Sequence, residues 1–203
     1  MEGTILKKLV IIGASGHGKV IADIAVKNGY EEIVFLDDNE NIVECAGFPV
    51  VGKVENAENF FGEKIVAIGN AKIREQIQKN LTGVTILIHP DAVISRRVEI
   101  GIGTVVMAGA IVNSDTVIGK GCIINTGASI DHDCKVGDFS HISVGAHVAG
   151  IAEIGKGTWI GTGAIVSNNV SICEYCTIGA GAVVISNINK SGTYIGVPAK
   201  EKQ

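Results

Sequence analysis

Residues 110–145 read AIVNSDTVIGKGCIINTGASIDHDCKVGDFSHISVG, which divides into six blocks of six residues. The third residue of every block is isoleucine or valine, and the first is alanine, threonine, cysteine or serine. Because side chains two positions apart point to the same side of an extended strand, positions one and three can face a common interior. The pattern predicts that each hexad is one short wall of a β-solenoid.

The same pattern runs from Ala92 to Asn187 as sixteen hexads, and the third position is isoleucine or valine in all of them. Glycines recur at intervals of 18 residues, at Gly101, Gly119, Gly137 and Gly155. One coil therefore consists of three hexads, and the predicted cross-section is a triangle. The region has room for about five coils.

We call the wall that begins at Ala92 the first wall, the wall that begins at Val98 the second, and the wall that begins at Thr104 the third. The outward position two is mostly apolar on the first and third walls and mostly polar on the second. Because exposed apolar faces favour association and closed symmetry buries them with one repeated contact, we expect a homotrimer with the second wall outermost.

Two histidines stand out within the repeat. His132 occupies position five of a first-wall hexad between Asp131 and Asp133, and His141 occupies position two of a third-wall hexad. A carboxylate bonded to one imidazole nitrogen raises the basicity of the ring and leaves the other nitrogen to accept a proton. A whole wall separates the two histidines within one chain, but in a trimer the first wall of one subunit faces the third wall of the next. We therefore interpret His132 as a general base at a subunit interface, with a solvated corner histidine as the alternative, and His147 as an interface packing residue.

The five cysteines are predicted to be reduced thiols. Cys122, Cys134 and Cys176 occupy the small inward position one of their hexads, which favours packing over nucleophilic chemistry. Cys173 and Cys176 have CxxC spacing, but a zinc site needs about four ligands and the sequence offers no second pair or nearby histidine. No metal is therefore expected.

Composition and charge exclude several classes of partner. The formal net charge is −4, and the basic residues are scattered, so nucleic acid is not an expected partner. No apolar run approaches the roughly 20 residues of a membrane span, and the N-terminal stretch MEGTILKKLV leads into a predicted strand instead of a cleavable signal. The expected location is the cytoplasm.

Residues 1–88 predict a different architecture, a small α/β unit with a parallel sheet, and residues 89–203 form the predicted solenoid domain. A glycine-containing turn leads from the first strand into a helix and places Ser15, Gly16 and His17 at the helix N-terminus, where a phosphate could bind. Asp37 and Asp38 end the next strand and could accept hydrogen bonds from a ribose or base. These features fit a nucleotide of some kind, a nicotinamide dinucleotide included, and they are also compatible with no ligand.

The order of motifs along the chain resembles that of the bacterial nucleotide-sugar N-acetyltransferases of the sialic acid O-acetyltransferase (NeuD-like) family. The matching stretches are IIGASGHGKV, FLDDN, AIGNAKIR, LIHPDAVIS, INTGASIDHDCKVGDFSHISVG and YIGVPAK. The resemblance implies a Rossmann-like N-terminal domain that holds a UDP-sugar, followed by a left-handed parallel β-helix that binds acetyl-CoA between the subunits of a trimer. The implied reaction is transfer of an acetyl group to the amine of a UDP-4-amino-4,6-dideoxy sugar.

The resemblance also implies roles for individual residues. His132 is similar to the catalytic base of the family and Asp133 to its acidic partner, although close relatives often have a glutamate there. The implied acetyl-CoA contacts are His141, Thr162 and Ala180, and the implied substrate contacts are Ser15, Gly16, His17, Asp37, Asp38 and Gly69. Three alternatives remain open, namely O-acetylation of sialic acid or a related sugar hydroxyl, a non-catalytic nucleotide-binding solenoid, and a dinucleotide oxidoreductase.

Overall fold

The computed structural model describes residues 6–202. It divides into two compact units, and the boundary along the chain falls between Pro90 and Asp91. The first unit is built on a five-stranded sheet, and the second is a repetitive array of two-residue strands.

The elements of the first unit are β1 (Lys8–Ile12), α1 (Gly16–Lys27), β2 (Glu32–Leu36), β3 (Glu44–Cys45), β4 (Phe48–Gly52), a 3-10 helix (Val54–Asn59), β5 (Glu63–Val66), α2 (Ala71–Gln78) and β6 (Leu87–Ile88). Its sheet has the strand order β3-β4-β2-β1-β5. Strands β2 and β5 flank β1 in parallel register, β4 is parallel to β2, and β3 is antiparallel to β4.

The central strand β1 is the core of this sheet. Its residues 9–12 are completely buried, as expected for a parallel strand covered on both faces. Helix α1 contributes Ile21, Ile24 and Ala25 to the buried core, whereas Val20 is 38% exposed. No helix among residues 6–202 is long and apolar enough to cross a membrane.

Two details of this unit differ from the sequence pattern. The hairpin formed by β3 and β4 was not predicted, because its turn is made by Ala46 and Gly47, both with positive φ (53° and 80°), and alanine is an unusual residue in that conformation. The second detail is the apolar stretch VTILIHP at residues 84–90, whose composition is typical of a full strand. Only Leu87–Ile88 form a strand, outside the five-stranded sheet, and Val84 makes a single bridge to Lys64.

The second unit consists of three sheets, one for each wall. Within the hexad repeat the strands of a wall are parallel, and paired residues of neighbouring coils are 18 positions apart. The last parallel pairing of the third wall, Thr177 with Thr193, joins residues 16 apart. The first wall is formed by β7 (Val93–Ile94), β10 (Ile111–Val112), β13 (Ser129–Ile130), β16 (His147–Val148), β19 (Ile165–Val166) and β22 (Val183–Val184). The second wall is formed by β8 (Glu99–Ile100), β11 (Val117–Ile118), β14 (Lys135–Val136), β17 (Glu153–Ile154) and β20 (Ser171–Ile172). The third wall contains β9 (Val105–Val106), β12 (Ile123–Ile124), β15 (His141–Ile142), β18 (Trp159–Ile160) and β21 (Thr177–Ile178), and it is extended by β23 (Thr193–Ile195) and the antiparallel β24 (Lys200–Glu201).

The interior of the solenoid follows the predicted hexad. From Thr104 to Val184, positions one and three of every hexad are buried. Position six forms the corners, and in most hexads its residue has a positive φ. Glycine occupies this corner after every third-wall strand, and the first-wall corners include Asp115 (φ 64°), Asp133 (φ 57°) and Asn169 (φ 59°). Aspartate and asparagine tolerate this conformation better than most residues with a side chain.

The outward faces agree only in part with the expected distribution of apolar surface. On the first wall, Val93 is 64% exposed, Ile111 41% and Ile165 43%. On the third wall, Val105 and Ile123 are each only 1% exposed. These two side chains are already covered within the chain, so the apolar surface of the third wall is smaller than its sequence indicates.

Candidate active site

His132 and Asp133 form a hydrogen-bonded pair at the corner that follows strand β13. The His132 Nδ1 atom lies 2.7 Å from Asp133 Oδ2. The hydrogen bond to Asp133 raises the pKa of His132, and the negative charge of Asp131 adds to this effect. The His132 side chain is 52% exposed, so the imidazole is accessible to a substrate. With Nδ1 donating to the carboxylate, Nε2 is the nitrogen that can accept a proton.

Asp131 fixes the backbone of this corner. Its Oδ1 accepts hydrogen bonds from the His132 backbone N–H and from the Asn113 side-chain amide, both at 2.9 Å. These two hydrogen bonds, the one from Asn113 foremost, lower the pKa of Asp131. Asp131 therefore stays ionised and contributes charge near His132, but Asp133 makes the direct contact with the ring.

Gly150 lies under the His132 ring, one coil further along the chain. A Cβ atom at Gly150 would lie 2.8 Å from His132 Nε2 and 2.9 Å from Cε1. Any side chain at this position would displace the imidazole. Gly150 was not recognised as a site residue from the sequence.

His141 lies on the third wall between two other side chains. The Asn125 Nδ2 atom is 3.0 Å from His141 Nε2, so the amide donates to this nitrogen and the neutral ring carries its proton on Nδ1. The Trp159 indole stacks on the ring, with centroids 5.9 Å apart and planes inclined by 6°. Trp159 is itself oriented because its Nε1–H donates to Ser143 Oγ. The sequence did not reveal the roles of Asn125 and Trp159.

Thr162 and Ala180 occupy the same corner of two successive coils, each at position five of a third-wall hexad. Both residues are exposed. The Thr162 carbonyl already accepts the Gly181 N–H at 2.8 Å, as the carbonyl of Val144 accepts the Gly163 N–H one coil earlier. Thr162 and Ala180 thus form part of a continuous exposed edge, with the Thr162 carbonyl engaged in the solenoid.

The fold requires two of the glycines at the start of α1, Gly13 and Gly18, but it does not require the third, Gly16. Gly13 has φ 112°, and a Cβ there would lie 2.9 Å from the Ala67 carbonyl oxygen. A Cβ at Gly18 would lie 2.3 Å from the Gly13 carbonyl oxygen. At Gly16 a Cβ would meet nothing within 4 Å. Gly16 and the neighbouring Ser15, the N-cap of α1, are exposed, so this edge of the turn is open.

His17 is an uncharged histidine next to a buried arginine. Burial, together with the positive charge of Arg74, lowers the pKa of His17 to about 4. Its Nε2 atom is buried and has no hydrogen-bond partner among residues 6–202. Arg74 is 1% exposed and donates from Nη1 to the carbonyl oxygens of Ile68 and Gly69, at 2.7 and 2.8 Å. Arg74 therefore holds the loop that contains Gly69.

The two predicted acidic residues, Asp37 and Asp38, differ in how many of their carboxylate oxygens are already hydrogen-bonded within the protein. Asp37 accepts the Ala14 N–H at 2.7 Å and the Asn39 N–H at 2.9 Å, so both of its carboxylate oxygens are used to hold the turn. Asp38 is exposed, and its Oδ1 accepts the Val54 N–H at 3.0 Å. Of the two, Asp38 retains the greater capacity to bind a ligand.

Within each unit the predicted residues fall into local groups. His132 and Asp133 are in direct contact, whereas His141 lies on another wall with its own partners. His147, predicted as a packing residue, is exposed and lies with Nδ1 2.7 Å from Ser129 Oγ. No group of three or more histidine, cysteine or acidic side chains within residues 6–202 is arranged to hold a metal ion.

Two family models match the chain. Residues 8–81 match the model described as the PglD N-terminal domain, and residues 151–186 match the model of the bacterial transferase hexapeptide (six repeats). The first match covers the sheet and helices of the N-terminal unit. The second covers the later coils of the solenoid.

Solved structures resemble the chain over almost its full length. The acetyltransferase domain of PglB from Neisseria gonorrhoeae is 44% identical, and the match covers 97% of this chain and all of that domain with a TM-score of 0.92. That domain is also known in complex with acetyl coenzyme A. PerB from Caulobacter crescentus, solved with CoA and GDP-perosamine, is 35% identical over 98% of this chain and 99% of its own, with a TM-score of 0.90.

A curated relative matches over a shorter region. The UDP-N-acetylbacillosamine N-acetyltransferase of Bacillus subtilis is 35% identical over 113 residues, which is 51% of this chain and 52% of that enzyme. The matched region thus spans about half the length of this relative. The predicted fold class, a Rossmann-like α/β domain followed by a left-handed parallel β-helix, is confirmed by the family models and the full-length structural matches. The chain belongs to the hexapeptide-repeat acetyltransferases that carry a PglD-type N-terminal domain.

Proposed function

We propose that the protein transfers the acetyl group of acetyl-CoA to the amine of a nucleotide-linked amino sugar, with a UDP-4-amino-4,6-dideoxy sugar as the preferred substrate. The observation that carries this proposal is the His132–Asp133 pair, an accessible imidazole with a raised pKa in a chain of this family. PerB, the Bacillus enzyme and the acetyl-CoA complex of the PglB domain support the classes of substrate. The nucleotide is the finer part of the proposal, because PerB was solved with a GDP-linked sugar.

In the proposed mechanism His132 acts as general base. The sugar amine attacks the thioester carbonyl, and Nε2 of His132 takes a proton from the attacking nitrogen as the C–N bond forms. The C–S bond then breaks, and His132 returns the proton to the departing CoA thiolate. Asp133 holds the Nδ1–H tautomer and stabilises the imidazolium formed in between. No covalent acyl-enzyme is needed.

His141 is proposed to bind the thioester end of acetyl-CoA. Because the Asn125 amide donates to Nε2 of His141, the Nδ1–H is the group that would donate to the carbonyl oxygen as negative charge develops there. Thr162 and Ala180 are proposed to line the path of the pantetheine arm along the exposed edge of the later coils. Acetyl-CoA acts here as a co-substrate, and no metal is part of the mechanism.

The N-terminal unit is proposed to hold the nucleotide. The open edge at Ser15 and Gly16 offers backbone N–H groups at a helix N-terminus for the diphosphate. The neutral His17 imidazole supplies a further hydrogen-bonding group, and Asp38 retains an oxygen for the nucleoside. Asp37 supports this site through the Ala14 N–H, and Gly69 through the loop that Arg74 fixes.

The proposed assembly is a homotrimer in which His132 of one subunit and His141 of the next share a groove. The exposed Val93, Ile111 and Ile165 of the first wall support self-association. The burial of Val105 and Ile123 restricts the third-wall contribution to the later coils, from His141 onwards. Light scattering of the full chain measures the oligomeric state directly.

The decisive experiment follows CoA release from acetyl-CoA with a panel of UDP-linked and GDP-linked 4-amino sugars and free sialic acid. We expect release with a UDP-amino sugar, a loss of at least a hundredfold in His132→Ala, and full activity in Lys135→Ala, an exposed second-wall control. Release only with sialic acid would replace the proposal with O-acetylation. A His132→Ala variant as active as the wild type would refute the catalytic scheme.

A further inference from the structure

Cys173 and Cys176 are neighbouring thiols at the corner between the second and third walls. Their Sγ atoms are 3.4 Å apart, and neither is part of a disulfide. The remaining cysteines behave differently. The thiols of Cys122 and Cys134 each donate to a carbonyl oxygen at 3.2 Å and are fully buried.

The position of Cys173 interrupts a column of glycines. Gly101, Gly119, Gly137 and Gly155 precede it at intervals of 18 residues, and a Cβ at each of them would come within 2.4–2.5 Å of an atom in the next coil. Cys173 is the next member of this column. Its strand β20 is the last strand of the second wall within residues 6–202, and beyond it only Ile188 bridges to Ile172. The end of the regular stack therefore gives space to a side chain that every earlier coil excludes.

The two thiols differ in accessibility. Cys173 is partly exposed and lines a groove of about 560 Å³ on the second wall. Cys176 is 1% exposed, and its Sγ lies 3.6 Å from the Lys190 carbonyl oxygen. Burial, followed by the hydrogen bond and the charge of Cys173, raises the pKa of Cys176 to about 12. Cys173 is thus the thiol that a reagent can reach, and Cys176 is the buried thiol that can react only with Cys173.

We propose that Cys173 and Cys176 form a redox-active dithiol site, which low-molecular-weight disulfides such as oxidised glutathione convert to an intramolecular disulfide. The Cys173 thiolate attacks one sulfur of the oxidant, forming a mixed disulfide and releasing one glutathione thiolate. Cys176 then loses its proton to solvent and attacks Cys173 Sγ, releasing the second glutathione. Two thiols are oxidised and one glutathione disulfide is reduced.

A metal site is a poorer explanation of the pair. A tetrahedral zinc centre needs about four ligands, and no third histidine, cysteine or acidic side chain within the described part of the chain completes such a group. The inference does not depend on the proposed acetyl transfer. It is tested without an activity assay, so the two proposals succeed or fail separately.

The test incubates the full chain in buffers of defined glutathione ratio, alkylates free thiols with N-ethylmaleimide at neutral pH before and after unfolding, and maps the products by mass spectrometry. We expect loss of two hydrogens that maps to a Cys173–Cys176 peptide, with Cys122 and Cys134 alkylated only after unfolding. The pair should follow a single two-electron equilibrium with the glutathione ratio. In Cys176→Ser, a stable glutathione adduct should accumulate on Cys173 because the resolving thiol is absent.

A second measurement requires no oxidation. Phenylarsine oxide, which binds two adjacent thiols, should label the wild type with one equivalent and leave Cys173→Ser unlabelled. Cys173→Ser changes a partly exposed side chain and should retain the circular dichroism spectrum of the wild type. The proposal is overturned if glutathione leaves both thiols free, if the adduct on Cys173 never closes, or if the disulfide joins two chains.

Discussion

The His132 imidazole lies directly against the Cα of Gly150, which is the equivalent position of the next coil. A Cβ at Gly150 would stand 2.8 Å from Nε2, the proposed proton acceptor. The ring is therefore positioned from two sides, by the carboxylate of Asp133 at Nδ1 and by the surface of Gly150 near Nε2. The absence of a side chain at Gly150 is part of the geometry of the base.

Gly150→Ala tests this arrangement. The new methyl group should displace the imidazole and lower kcat by about a hundredfold, because a misplacement of about 1 Å has a cost of that order. The free energy of unfolding should change little, since the displaced group is the end of a half-exposed side chain. Steady-state kinetics and thermal unfolding measure the two effects. The double variant with His132→Ala should be no less active than His132→Ala alone, and independent losses would contradict the contact.

Asp133→Asn tests the electrostatics of His132. Since Asp133 is the largest cause of the raised pKa, its neutralisation should return the pKa towards the ordinary value of 6.5. The base works in its neutral form, so activity falls as pH drops through this pKa, and the acid limb of kcat/KM should move to lower pH in the variant. The maximal rate should also fall by about 10- to 100-fold because the tautomer is no longer fixed.

Asp115→Asn is the matched control for Asp133→Asn. Asp115 occupies the same corner one coil earlier, with φ 64°, and pairs with Arg97 instead of a histidine. Its pH profile should coincide with that of the wild type. An acid limb that stays in place in Asp133→Asn would show that Asp133 does not set the basicity of His132.

Trp159→Ala tests the support of His141. Loss of the stacked indole should raise the KM for acetyl-CoA several-fold, whereas Trp159→Phe should recover much of the wild-type value because an aromatic face is retained. The stability effect should be about 1 kcal/mol. Val117→Ala removes an apolar side chain from the same hexad position of the second wall and should leave this KM unchanged. Equal KM values for acetyl-CoA in all three variants would show that the Trp159 indole does not support His141 in binding acetyl-CoA.

Gly16→Ala and Gly18→Ala separate ligand binding from folding. Gly18→Ala places a methyl group 2.3 Å from the Gly13 carbonyl oxygen and should destabilise the N-terminal unit by about 1–3 kcal/mol. Gly16→Ala meets no neighbouring atom and should keep or slightly raise Tm. It should nevertheless raise the KM for the nucleotide sugar about tenfold, since the backbone approach to the diphosphate is blocked. A Gly16→Ala variant with an unaltered KM would count against the proposed diphosphate site.

The features that could be predicted from sequence are those that recur. Valine or isoleucine at the third position of every hexad and glycine at 18-residue intervals determine the walls, the coil length and the register, because paired residues within the repeat are 18 positions apart. The contact between His132 and Asp133 could also be predicted, because the two residues are adjacent in the sequence. The 18-residue period also places Gly150 next to His132, so the sequence contains a signal for this contact as well.

The features that could not be predicted depend on contacts without a sequence period. The β3–β4 hairpin turns on Ala46 at positive φ, a residue that gives no turn signal. Val105 and Ile123 occupy outward positions, yet both are buried. The interaction of Asn125 with His141 joins residues 16 apart, two short of the coil period, and depends on side-chain rotamers that the pattern does not encode.

The corners of the solenoid have a further consequence for how such a site can change. Coils stack like rungs about 4.8 Å apart, and Asp115 already occupies the rung below Asp133 in the same left-handed conformation. A histidine placed at Ser114 would have Asp115 next to it in the same backbone geometry, but the residue one coil further along is His132, so a move of the base by one coil would also require a glycine at position 132. Because equivalent corners recur in every coil, the position of the base along the solenoid axis can change in steps of one coil while the fold stays the same.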